Sequence, residues 1–104
     1  MSDRVSMLKA LLEEDPANKF ARYGLAMEYA KAGQLDTAVS EFRALIAADP
    51  SYCAAYFHGG QALEKAGEVE EARTMYEQGI EAAERAGDAH TRSELQGALD
   101  LLPL

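Results

Sequence analysis

Residues 16 to 50 recur in type at residues 50 to 84, and this 34-residue period constrains the fold more than any single side chain does. Pro16 maps onto Pro50, Lys31 onto Lys65, Ala32-Gly33 onto Ala66-Gly67, Ala38 onto Ala72 and Phe42 onto Tyr76; Leu12, Ile46 and Ile80 form a third set. A period of this length marks stacked helix-turn-helix units, each of which buries its apolar face only against a neighbour. Arrays of that kind act mainly by binding.

Helix boundaries follow from the breaks inside the period. Gly33 and Gly67 close apolar helical patterns where a residue free to take positive φ ends a helix at little cost. Asp15-Pro16 and Asp49-Pro50 stand where the next pair begins, because proline keeps the preceding residue out of helical geometry yet tolerates a helix start. Between these breaks apolar residues recur at three and four, as in Leu8, Leu11, Leu12 and in Val39, Phe42, Leu45, Ile46, and no segment alternates as a strand would. Six helices are expected, near 2–14, 18–32, 35–48, 52–66, 69–85 and 88–102. The short connections make neighbours antiparallel.

At 104 residues, with 48% apolar and 27% charged residues, the chain is long enough for one continuous core and too well balanced for disorder. One domain over 1–104 is expected: a half-repeat helix at 1–16, repeats at 17–50 and 51–86, and a closing helix at 87–104. The first helix is half a unit, since Leu8, Leu11 and Leu12 fall one period before Phe42, Leu45 and Ile46. At Gly87-Asp88 the register slips by two residues, so that Leu95 and Leu99 match Leu25 and Tyr29. Thr91, Arg92, Glu94 and Gln96 suit the solvent-facing end of a stack.

The net charge of −8 is uneven: residues 1–52 hold 8 acids and 6 bases (−2), residues 53–104 hold 10 acids and 4 bases (−6). Such a surface repels phosphate backbones, which argues against nucleic acid; it favours solubility or a basic partner. A single cysteine, Cys53, forms no intrachain disulfide, so a reducing, cytoplasmic setting is expected. No stretch reaches the length of a membrane span.

Candidate chemistry is sparse. Cys53 and His58 stand five apart on one helix, on different sides, and His90 has no clear partner. Neither metal-ligand spacing nor a phosphate loop occurs, and Glu68, Glu70 and Glu71 read as a helix start favoured by the dipole. No cofactor, metal or catalytic role is expected.

The periodic residues resemble those of the tetratricopeptide repeat: a large aromatic, Leu-Gly, Tyr, Ala, Phe and a closing Pro at fixed offsets. Here they read Arg22, Leu25-Ala26, Tyr29, Ala38, Phe42, Pro50, then Tyr56, Gly59-Gly60, Leu63, Ala72, Tyr76, Glu84. The resemblance implies an all-α fold of antiparallel helix pairs stacked as a short right-handed superhelix. Three positions depart from the pattern: Arg22 for the aromatic, Gly59 for a large apolar residue and Glu84 for proline. Adjacent Gly59-Gly60 inside a helix cost about 2 kcal/mol of helix propensity against alanine, which implies either close packing there or a soft helix.

The resemblance also implies that the first helix of each pair lines a concave surface where partner peptides lie. Phe20, Tyr23, Met27, Ala30 and Lys31 then face the groove from one repeat, and Ala54, Phe57, His58, Gln61, Glu64 and Lys65 from the next. Tyr23 and Met27 stand where a carboxylate clamp would need Lys and Asn, so an apolar or amphipathic segment is the expected ligand. Phe20, Tyr23, Met27 and Phe57 would bury its anchors, with Lys31, His58, Gln61 and Lys65 as polar contacts. Two alternatives remain open: these aromatics are core, or the apolar face closes a homodimer with no separate ligand.

Overall fold

The computed structural model describes residues 3–103. Among these residues it contains six helices and no strand: α1 (Asp3–Glu14), α2 (Lys19–Lys31), α3 (Leu35–Ala48), α4 (Cys53–Lys65), α5 (Val69–Ala86) and α6 (Ala89–Asp100). Ser2, where the first helix was expected to start, lies outside the described residues. The all-α repeat architecture agrees with the reading from the period.

Local signals act as the sequence suggests. Gly33, Gly67 and Gly87 take φ of 79°, 81° and 70°, the left-handed conformation that ends a helix without a Cβ penalty. Asn18 caps α2 by accepting from the Ala21 amide at 3.0 Å, and Asp88 caps α6 by accepting from Thr91 at 3.0 Å. Asp15 and Asp49, one period apart, each accept the backbone amide two residues on at 3.1 Å, fixing equivalent turns around Pro16 and Pro50.

The helices form two layers. Each helix packs on its chain neighbour, and within one layer α2 also touches α4 and α4 touches α6. Among the described residues α1, α3 and α5 do not meet one another. A stack whose α2, α4, α6 layer closes up while the other layer splays apart curves toward the first, so the concave face belongs to α2, α4 and α6.

Gly59-Gly60 is a site of close approach. A Cβ at Gly60 would lie 2.2 Å from the Tyr76 ring, and one at Gly59 would lie 3.4 Å from the Phe42 Cβ and 3.5 Å from the Met75 methyl. Tyr76 is fully buried and its hydroxyl donates to the Glu64 carboxylate. Burying a large side chain is worth roughly 1.5–3 kcal/mol, enough to offset the propensity lost at the glycines.

The other two departures have partners. Arg22 reaches Glu41 at 2.7 Å and the Pro16 carbonyl at 3.4 Å; one period later the Tyr56 hydroxyl donates to the Pro50 carbonyl at 2.7 Å. Glu84, in place of proline, lets α5 run for 18 residues where α3 runs for 14, and it accepts from Arg92 of α6 at 3.1 Å.

Candidate functional site

Side chains one helical turn apart on α2 and α4 project into the space between the two helices. They line an open depression of about 210 Å³ formed by Met27, Ala30 and Lys31 of α2 with His58, Gln61, Ala62 and Lys65 of α4. Five residues expected to contact a partner are thereby brought together: Met27, Lys31, His58, Gln61 and Lys65. Ala62, which is buried, was not expected there.

His58 joins this depression to an aromatic cluster. Its ring lies 5.9 Å from Tyr23 and 5.2 Å from Phe57, both edge-on, and stacks over Phe42 at 6.5 Å. Tyr23 also meets Phe42 at 6.2 Å and Tyr52 at 5.4 Å, so its half-buried ring packs against the core and reaches the depression only through His58. Phe57 packs on Tyr76 at 6.5 Å and is likewise half-buried. Phe20 is 67% exposed; it does not line the depression, and neither do Tyr23 and Phe57, which adjoin it through His58. Tyr52, just before α4, and Glu94 of α6 were not expected at this face; each lies outside the helix pair that the pattern marks.

Electrostatics follow from burial. Desolvation holds the His58 pKa below its ordinary value of 6.5, with the Glu94 charge and a hydrogen bond from the imidazole to the Gln61 side chain pulling the other way. At neutral pH it is a neutral, polar aromatic ring. Burial also pushes the Tyr23 and Tyr52 phenols up. Lys31 binds Glu28 at 3.1 Å, and Lys65 is exposed. The depression is thus lined by Met27, Ala30, Ala62, Gln61 and the His58 ring, together with the two cations Lys31 and Lys65.

The setting of Cys53 follows from its burial. Cys53 is buried, its thiol donates to the Ser51 carbonyl at 3.2 Å, and burial raises its pKa, which disfavours the thiolate. Among the described residues no three His, Cys, Asp or Glu side chains are placed to hold a metal ion. No described helix is long and apolar enough to cross a membrane.

Paired antiparallel helices at a 34-residue period, with a curved inner face, define an α-helical repeat protein. Models of the tetratricopeptide repeat match residues 5–52 and 23–89. A TPR repeat-containing protein of Pseudomonas aeruginosa is 31% identical over 88 residues, covering 85% of this chain and 84% of the relative. A solution structure from Bordetella parapertussis superposes with a TM-score of 0.83 at 33% identity, over 96% of this chain and 87% of that one. The type III secretion translocator chaperone SycD of Yersinia enterocolitica shares the fold, with a TM-score of 0.83 at 20% identity over 92% of this chain and 67% of that one. The chain belongs to the tetratricopeptide-repeat family.

Proposed function

We propose that this protein is a non-catalytic interaction module that binds an apolar or amphipathic peptide or helix across the concave face of α2 and α4. The observation that carries this reading is the depression in which Met27, Lys31, His58, Gln61 and Lys65 converge. A partner's apolar anchor rests on Met27 and on the Tyr23, His58 and Phe57 rings, and the anchor adapts because a methionine repacks easily. Lys31, Gln61 and Lys65 give polar contacts that fix its direction. Phe20, at the exposed start of α2, extends the apolar surface toward the end of the groove. The similarity to a structure described as a translocator chaperone supports a role in holding another polypeptide.

The test uses a peptide selected from a random displayed library against the purified chain. Met27→Glu is expected to weaken its binding at least tenfold, about 1.4 kcal/mol, with helical content unchanged. Binding that survives both Met27→Glu and Lys65→Glu would place the contact elsewhere.

A further inference from the structure

Helix α1 carries a face that α2, its one neighbouring helix among the described residues, covers only in part. Met7 stands two periods before Met75. In α5, Met75 lies over Gly59 of the preceding helix, with its methyl 3.5 Å from the Gly59 Cβ position, and is 4% exposed. Met7 is 53% exposed, because α1 touches α2 alone. The side chain that joins a helix pair elsewhere in the array is here turned to solvent.

That face has a composition that selects its occupant. Arg4, Met7, Leu11 and Glu14 follow one another at three, four and three residues, which lines them up along one side of the helix as in a coiled-coil seam. The seam has a cation at its first position and an anion at its last; between them Met7 is exposed, and Leu11 is partly buried against the core with its remaining surface beside Met7. Laid antiparallel against itself about a two-fold axis, it sets Met7 against Leu11 of the second copy and Arg4 against Glu14 of the second copy. A parallel pairing would oppose like charges. Glu14 is exposed and has no ion pair among the described residues, and Arg4, held to Glu28 through Nε at 3.4 Å, keeps further guanidinium donors.

We propose that α1 is a self-association surface, and that two copies of this chain pair isologously through antiparallel α1 helices. Because α1 belongs to the splayed outer layer, such a dimer leaves the α2–α4 depression open and presents two grooves. A single helix pair buries little area, so the dimer is weak, with a dissociation constant on the order of 100 µM.

Sedimentation velocity of the full chain tests this up to about 1 mM, where the dimer should predominate and the average mass approach twice 11.3 kDa. Met7→Glu, Arg4→Glu and Glu14→Arg are each expected to stay monomeric, with circular dichroism verifying the fold. An equimolar mixture of Arg4→Glu and Glu14→Arg is expected to recover the dimer, since both charge pairs across the two-fold become attractive again. A wild-type chain that is monomeric throughout, a dimer indifferent to Glu14→Arg, or a mixture that stays monomeric would each overturn the proposal.

Discussion

The two complete repeats, α2–α3 and α4–α5, fill the same space with different side chains. Where the first buries Ala26 and Phe42 in one cluster, the second sets Gly60 beside Tyr76, which leaves no room for a Cβ. Where the first carries Leu25 and Glu41, the second carries Gly59 and Met75, and the Met75 thioether lies over the glycine. Arg22 and Tyr56 reach the carbonyls of Pro16 and Pro50 by a guanidinium and a phenol. The repeat constrains pairs of positions, in volume and in hydrogen bonding, more tightly than it constrains either member.

Substitutions at the paired glycines break this comparison most sharply. Gly60→Ala is expected to destabilise by about 1–3 kcal/mol despite the better helix former, because the new Cβ strikes the Tyr76 ring. Gly59→Ala meets only ordinary contacts and is expected to stabilise by up to about 1 kcal/mol. Urea denaturation of the two variants decides the matter, since adjacent glycines with the same sign would show that packing does not set their roles. Combining Gly60→Ala with Tyr76→Leu should cost less than the sum of the single changes.

The hydrogen-bonding pair gives a smaller effect. Arg22→Ala and Tyr56→Phe are each expected to cost about 1 kcal/mol. Added salt should shrink only the Arg22 loss, because Arg22 also pairs with the quarter-exposed Glu41. Equal salt dependence in thermal melts would mean that the two positions are not solved by different chemistry.

The smallest effect distinguishes His58 from its counterpart Gly24. A half-buried imidazole with a depressed pKa stays neutral in the folded chain after the unfolded chain has taken up its proton. Its contribution is therefore complete above pH 6.5 and declines as pH falls below that value, until the folded state is protonated as well. Comparing melting temperatures at pH 7.5 and 5.5, His58→Gln should lose less on acidification than the wild type. An identical loss would remove His58 from the acid response.

Much of this was legible in the sequence, because a helix pair announces itself through local signals. Period, glycine stops and Asp-Pro turns gave six helices whose ends fall within two residues of those observed. Close packing at Gly59-Gly60 was legible as one of two outcomes; the choice required seeing which ring lies opposite Gly60. Glu84 showed only as a missing proline, since its partner Arg92 lies on the next helix. At the candidate site, helical spacing brought Met27, Lys31, His58, Gln61 and Lys65 together. It could not separate exposed Phe20 from half-buried Tyr23, because Tyr23 owes its cover to Phe42, Tyr52 and His58 on other segments.

Backbone amide shift mapping with a library-selected peptide tests the concave groove most directly. Perturbations are expected to cluster at Tyr23, Met27, Lys31, Phe57, His58, Gln61 and Lys65, leaving α3 and the outer side of α5 unchanged. Perturbations confined to Arg43, Glu70, Glu71 and Thr74 on the opposite layer would contradict it.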